Sequence, residues 1–249
     1  QTVVTSNGPF EWANGTAIHP TTKVAYGIMV HNTPTTKRYL VRFDAENVEY
    51  IFQLEEVTSA GTFDAAGNFY WHQSTPAGNY PRNLHRIEAA DINNAVGFAD
   101  RDDVPPMLTA ADTALGGDND DTWAAAAADI TYVEADLGAG TKTYILGLGA
   151  KLSITDVAAA TKYEFPNLRF VNDEPLGQTA FGAAYTVVDA AGNQTVYFSS
   201  NGNGAANPVL DGFIAALDLS TINLSNQNQT VKFNNAGPIP PSSTNDGMA

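Results

Sequence analysis

Six acidic residues stand at turns or at the ends of apolar segments, and their chemistry could support glycoside hydrolysis. They are Asp64, Glu88, Asp129, Asp156, Asp189 and Asp218. Glycosidases use two carboxyl groups, one of which stays protonated at the working pH. Such a pair needs two unlike environments, whereas these acids recur in similar ones. The pattern therefore favours structural turns, and a carbohydrate-binding or glycoside-cleaving protein is the alternative.

The acidic run Asp118-Asn119-Asp120-Asp121 carries the oxygen ligands that calcium prefers. It lacks the closing Glu of a complete calcium loop. We therefore interpret it as a solvated loop. Calcium binding by Asp118, Asp120 and Asp121, as in a calcium-dependent adhesion domain, is the alternative, and no other cofactor is expected.

Histidine and aromatic residues indicate structure more than chemistry. No two histidines have the three- or four-residue spacing of a helical metal site, so each is expected in a strand or a turn. They are His19, His31, His72 and His85. Four aromatic residues could stack on sugar rings, although aromatic residues in strand patterns usually belong to the core. They are Tyr70, Trp71, Tyr80 and Trp123. Cysteine is absent, which excludes disulfides and thiolate chemistry.

A repeated pentapeptide indicates the strands and turns that position these residues. The pentapeptide Asp-Ala-Ala-Gly-Asn occurs at 64–68 and again at 189–193, each time after an apolar strand and before an aromatic one. Asp can bond its own backbone in a turn, Gly supplies a positive φ, and Asn tolerates one. The pattern predicts two β-hairpins of the same kind and a chain built from repeated units.

Further strands complete the predicted units. The first unit has strands at 17–18, 24–30, 39–44 and 49–54, with a turn at 20–23. Two segments share the pattern apolar-x-Arg-apolar-acid and lie 44 residues apart, at 40–44 and 84–88. Later strands are predicted at 129–134, 143–147, 151–156, 213–218 and 231–233. Four short antiparallel strands per unit are typical of a propeller blade. We predict an all-β fold, a β-propeller of about five blades, with four to seven allowed.

The predicted propeller is a single domain over residues 1–236. A long connection is expected at 100–122, with one helical turn at 109–115. Residues 237–249 are rich in Pro and Ser and are predicted to form a tail that closes the ring or contacts a neighbour.

Composition points to an acidic extracellular protein. The chain has 27 acidic and 12 basic residues, a net charge of −15, which disfavours nucleic acid and anionic membranes. No stretch approaches the roughly 20 apolar residues of a membrane helix, and the first residue, Gln1, is interpreted as the start of a mature secreted chain. Four Asn-x-Ser/Thr sequons, more than chance predicts, are expected glycosylation sites. They are Asn14, Asn193, Asn223 and Asn228.

The order of turns and strands resembles a family of propeller-like domains in secreted and cell-surface proteins, a family without an assigned function. The resemblance rests on degenerate motifs at 13–18, 61–70, 84–88 and 127–130, and on Asn-Asp-Gly at 245–247. It implies a β-propeller outside the cell and supplies no catalytic residues. The cysteine expected after the final Asn-Asp-Gly is missing here.

The sequence therefore predicts a non-catalytic, secreted or cell-surface module with a structural or adhesive role. It is expected to be a repeating glycosylated subunit of a filament. Self-association would use Thr2-Val3-Val4 or the Pro-rich tail as a strand added to a neighbour. Glycans, attached or bound, are the other expected partners.

Overall fold

The computed structural model describes residues 12–31, 37–54, 58–73, 84–103, 105–108, 129–177, 181–200 and 212–238. Within these ranges the chain is built almost entirely from β-strands, which confirms the all-β prediction. The chain forms two compact units, residues 1–115 and 116–249. The single domain over 1–236 remains a prediction. In the described part of the chain, no helix has the length and apolar character needed to span a bilayer.

The first unit begins with a four-stranded antiparallel meander, in which each strand pairs with the next. The central residues of the second, third and fourth strands are buried on both faces, with Ile28, Leu40 and Ile51 in one core cluster and Met29 and Tyr39 in another. The strands are β1 (Trp12–Ile18), β2 (Ala25–His31), β3 (Lys37–Phe43) and β4 (Val48–Leu54).

A second meander of three described strands follows in the same unit: β5 (Thr58–Phe63), β6 (Phe69–Gln73) and β7 (Leu84–Ile87). After β7 the chain forms helix α1 (Ala89–Asn94) and a 3-10 turn (Arg101–Asp103). It then adds β8 (Met107–Leu108) in parallel to the outer edge of β4. Residues 95–108, which we call the return segment, thus bring the chain back to the first sheet.

The second unit also contains two meanders. The first consists of β9 (Ile130–Asp136), β10 (Thr141–Leu148), β11 (Leu152–Asp156) and β12 (Thr161–Phe165). Next comes β13 (Asn167–Phe170), which pairs in parallel with the last strand of the other sheet. That sheet consists of β14 (Phe181–Val188), β15 (Gln194–Ser200), β16 (Phe213–Leu217) and β17 (Thr230–Pro238), with a 3-10 turn (Leu219–Thr221) after β16.

Within each unit the first strands of the two meanders lie against each other. β1 approaches β5 so closely that a Cβ on Gly15 would lie 2.8 Å from the backbone nitrogen of Gly61. In the second unit, buried Asp129 just before β9 accepts a hydrogen bond from the Ala184 nitrogen of β14 at 3.1 Å. Glycine supplies the close approach in one unit, and a buried carboxylate supplies the link in the other.

The repeat predicted from the sequence appears as equivalent positions in the four meanders. Each third strand is followed directly by, or ends at, an acid: Asp44, Glu88, Asp156 and Asp218. Each turn between the first and second strands holds one side chain that accepts backbone N–H groups. These side chains are His19, Asp64, Asp136 and Asp189. All four turns use a side chain to accept backbone N–H groups, although only two of them have the same sequence.

Most predicted strands are confirmed, and the differences lie in connections. Helix α1, β12 and β13 were not predicted, because the short segments that form them have no strong period. The predicted long connection at 100–122 contains the short strand β8. The helical turn at 109–115, the strand around Val3 and most of the 237–249 tail fall outside the described residues.

Candidate functional site

The first unit contains an open cleft of about 730 Å³. Three parts of the chain line it: the end of the β1–β2 turn, the β3–β4 hairpin, and residues 92–101 from α1 and the return segment. Clefts of a few hundred to about a thousand Å³ are the usual size of small-ligand sites. The cleft is therefore a candidate site among the described residues of this unit.

An ion pair forms one wall of the cleft. Arg42 on β3 stands directly opposite Glu49 on β4, and its Nε donates to Glu49 Oε2. The guanidinium also hydrogen-bonds the hydroxyl of Tyr26, a buried residue of β2 whose pKa is raised by burial. Both charged side chains remain partly exposed, at 28% for Arg42 and 43% for Glu49. The carboxylate and the guanidinium are therefore partly accessible to solvent, while the contacts named above hold them in position.

Gly97 of the return segment lies directly over this ion pair. A Cβ on Gly97 would lie 2.6 Å from Glu49 Oε2 and 3.0 Å from an Arg42 terminal nitrogen. Real Cβ atoms do not approach other atoms that closely, so any larger residue must displace the ion pair. The glycine thus lets the backbone pack directly against the ion pair.

The return segment is fastened to the first sheet by backbone and side chain. Phe98 and Tyr50 exchange two backbone hydrogen bonds of 2.9 Å, and Gln53 N donates to Pro106 O at 2.9 Å. Arg101 Nη1 donates to Nδ1 of buried His31 at 2.6 Å. The other ring nitrogen of His31 lies 3.2 Å from the Tyr50 hydroxyl.

These contacts are consistent with one direction of donation. Arginine can only donate, so His31 accepts at Nδ1 and carries its proton on Nε2, facing the Tyr50 oxygen. The Tyr50 hydroxyl then points to the Met29 sulfur, 3.5 Å away. Burial and the Arg101 charge lower the pKa of His31, which keeps the ring neutral as this arrangement requires.

The lining of the cleft carries more negative than positive groups. The lining contains two arginines, Arg42 and Arg101, and four carboxylates. The carboxylates are Asp44, Glu46, Glu49 and Asp100. Asp44 holds its own turn, because its Oδ1 accepts the backbone N–H groups of Glu46 and Asn47 at 2.8 Å, and these bonds lower its pKa.

The six acids considered as catalytic candidates serve the strand ends and turns around them. Asp64 accepts from Asn68 and, at 3.0 Å, from the Tyr70 hydroxyl. Glu88 pairs with Arg86 at 2.5 Å and precedes α1. The others likewise accept from groups nearby in the fold: Asp129 from Ile130 and Ala184, Asp156 from Lys142 and Ala159, Asp189 from Ala191 and Asn193, and Asp218 from Ser220.

Asp156 is the most deeply buried of these carboxylates. Burial alone would raise its pKa, but the Lys142 ammonium at 2.7 Å and the backbone N–H groups of Ala158 and Ala159 outweigh burial and lower it. It therefore stays ionised and pins the end of β11 to β10.

The histidines and two of the aromatic residues lie in the first unit's interior. His19 is in the β1–β2 turn, and the other histidines are on β2, β6 and β7, as predicted. Burial and the neighbouring His72 lower the pKa of His85 to about 4. Tyr70 and Trp71 are buried core residues, so they offer no sugar-stacking surface.

Other predicted sites are only partly described. Asp118, Asp120, Asp121, Tyr80 and Trp123 lie outside the described residues, as does the Asn14 side chain. Among the side chains that are described, no three His, Asp or Glu converge to hold a metal ion. The remaining sequon asparagines, Asn193, Asn223 and Asn228, are all exposed.

Sequence reasoning missed the cleft. The repeat pattern identified Arg42 only as a strand position, and nothing in the sequence placed residues 97–101 beside β4. A signal was present in the shared Arg of 40–44 and 84–88, since an Arg in a strand needs a partner when its neighbours are buried. No protein-family model matches the chain, and no curated protein is significantly similar to it.

Proposed function

We propose that this chain is a non-catalytic extracellular module of the β-propeller type, with a structural or adhesive role. The observation that supports it most is the fourfold use of one meander. Each copy has, after its first strand, a turn in which one side chain accepts backbone N–H groups, and it has an acid at the end of its third strand. In this proposal each meander is one blade.

The contacts between first strands fit this arrangement. In a propeller, the first strand of each blade lies near the central axis, next to the first strands of its neighbours. β1 lies against β5, and β9 lies against β14. Four blades fall within the predicted range of four to seven.

Exposed sequons support an extracellular location for the module. Asn193 stands at the tip of the β14–β15 hairpin, and Asn223 and Asn228 lie in the loop before β17. Each has the exposure that attachment of a glycan requires. In the proposal these asparagines carry glycans in the secreted protein.

Assembly into filaments would proceed by strand addition from a terminal segment. The segment at 2–4 or the tail at 237–249 would pair with the edge of a neighbouring subunit. The proposal predicts that the full chain, secreted from a eukaryotic host, forms filaments with a propeller-sized repeat in electron micrographs. Dispersed monomers at high concentration would overturn the filament role.

Terminal variants test the route of assembly. Two deletion variants, one lacking residues 1–9 and the other lacking residues 239–249, are compared. The variant that lacks the segment that pairs with the neighbouring subunit is expected to form no filaments. The monomer should keep its circular dichroism spectrum. Val3→Asp should act like the first deletion if that segment crosses, whereas Ser6→Asp is the matched control. A truncated chain that unfolds would show instead that the segment completes its own subunit.

A further inference from the structure

We propose that the cleft of the first unit binds a neutral oligosaccharide. This site would give the module a ligand of its own. It does not depend on filament formation, because every lining residue belongs to the first unit of a single chain.

The ion pair supplies the hydrogen-bonding groups that vicinal sugar hydroxyls need. Glu49 Oε1 has no hydrogen-bond partner among the described residues, and the Arg42 guanidinium has more donors than its two contacts use. A sugar hydroxyl can donate to the carboxylate while its neighbour accepts from the guanidinium. A pair of planar groups of opposite charge therefore fits a diol, which has both a donor and an acceptor.

Further polar groups line the same cleft. Asn93 near the end of α1 is exposed and, within the described structure, its amide makes no hydrogen bond. Asp100 lies on the same lining, from the return segment. A cleft with several convergent polar groups of different kinds suits a ligand that carries many hydroxyls.

The lining also offers apolar surface for the C–H faces of sugar rings. Val24, Phe43 and Val48 are half-buried and border the cleft. Val24 lies on the same sheet face as Arg42 and Glu49, whereas Phe43 and Val48 lie on the opposite face of the hairpin and pack against the second core cluster. The apolar surface beside the ion pair is therefore the exposed part of Val24.

Charge determines the kind of sugar. Four carboxylates and two arginines line the cleft, so an anionic sugar would be repelled. The two arginines are already engaged, Arg42 with Glu49 and Arg101 with His31. A neutral ligand avoids this repulsion and uses the carboxylates as hydrogen-bond acceptors.

The site is fixed before a ligand arrives. The backbone at Gly97 packs against the ion pair, and the same segment is tied to the sheet by the Phe98–Tyr50 backbone hydrogen bonds and the Arg101–His31 hydrogen bond. Groups that are already in position lose little conformational entropy on binding. A rigid cleft is thus consistent with selective recognition.

The test uses the full chain and defined oligosaccharides. Saturation-transfer NMR and calorimetry would be run with neutral gluco-, manno-, xylo- and galacto-oligosaccharides, with an oligogalacturonate as the anionic probe and spermine as the cationic probe. At least one neutral oligosaccharide is expected to bind, and more tightly than the oligogalacturonate. Binding of spermine alone, or no binding of any neutral probe, would overturn the proposal.

Variants then place the ligand in the cleft. Glu49→Gln should weaken binding by about tenfold, which is the effect expected from the loss of one charged hydrogen bond. Glu88→Gln is the matched control, because Glu88 is also ion-paired and half-exposed but does not line the cleft. If Glu49→Gln does not fold, exposed Asn93→Ala provides the second variant and should weaken binding several-fold.

The outcomes separate this site from the proposed assembly. Equal affinity in Glu49→Gln, Asn93→Ala and Glu88→Gln would place the ligand elsewhere and overturn the cleft assignment. Because a monomer presents the whole cleft, sugar binding without filaments would support the site and remove the filament role. Filaments without sugar binding would support the filament role and overturn the sugar site.

Discussion

The turns at 64–68 and 189–193 share one sequence and one backbone arrangement but differ in their surroundings. In both, the Asp nitrogen donates to the Asn carbonyl oxygen, at 3.1 Å in the first turn and 2.9 Å in the second. In both, the Asn side chain donates to the Asp carboxylate at 2.8 Å. The glycine φ is 90° in the first turn and 86° in the second. Five residues therefore determine this turn without help from the fold.

The first turn is enclosed by the rest of its unit. Asp64 is only 5% exposed and accepts from the Tyr70 hydroxyl. Asn68 Oδ1 accepts from the Ala89 nitrogen at 2.8 Å, and His19 packs against Gly67. This copy therefore links the β1–β2 turn, β6 and α1.

The second turn is exposed to solvent. Residues 187–193 are exposed, and a Cβ on Gly192 would meet nothing within 4 Å. The local sequence therefore determines the shape of this turn, whereas the residues packed around it determine how much the same five residues contribute to stability. Three predictions sharpen or break this comparison.

The largest difference is expected from the aspartates. Asp64→Ala would leave the Tyr70 hydroxyl and the Asn68 amide without their acceptor in the interior, so we expect a loss of about 3 kcal/mol in the free energy of unfolding. Asp189→Ala should cost about 1 kcal/mol, because water replaces the carboxylate. Urea denaturation measures both. Equal losses would contradict the role assigned to burial.

The second prediction concerns the stability of the two units at acidic pH, because all four histidines belong to the first unit. Burial is the main cause that lowers the pKa values of His19, His31 and His85 in the fold. Protonation therefore favours the unfolded chain, and the first unit should lose stability as the pH falls from about 6.5 towards 4. For His85, whose pKa is about 4, the loss is about 2 kcal/mol at pH 4.5.

The second unit should resist this range of pH. Its Asp156 and Glu164 have lowered pKa values, because their lysine partners outweigh the effect of burial, so its stability should fall only below about pH 4. Hydrogen exchange, corrected for intrinsic rates, can follow β5–β7 and β9–β12 separately between pH 7 and 4.5. His85→Gln should flatten the pH dependence of the first unit. Equal loss of protection in both units would contradict the prediction.

The smallest difference is expected from the glycines. Both adopt a positive φ, so either Gly→Ala change costs about 1 kcal/mol in backbone strain. Gly67→Ala also places a Cβ 3.0 Å from His19 Nε2, and we expect a total of about 2 kcal/mol. Thermal or urea denaturation compares the two variants. A larger cost at Gly192 would show that the exposed copy is constrained by a neighbour.

Much of the strand pattern could be predicted from the sequence, whereas the candidate site could not. The spacing from 44 to 88 correctly related β3 to β7, because the pattern apolar-x-Arg-apolar-acid is a local signal. Arg42 and Glu49 belong to the same hairpin, so their pairing follows from register alone. The position of Gly97 over this pair depends on the return segment, which has no period that predicts it.

The sequence by itself determined the two Asp-Ala-Ala-Gly-Asn turns and most of the strands, since Asx turns, positive-φ glycines and short apolar segments act over a few residues. Only the tertiary structure decided which Asp-Ala-Ala-Gly-Asn turn is buried, how residues 95–108 return to β4, and how β13 joins β17. These features depend on residues far apart in the chain. Their free energies come from burial and from hydrogen bonds between distant groups, which no local pattern encodes.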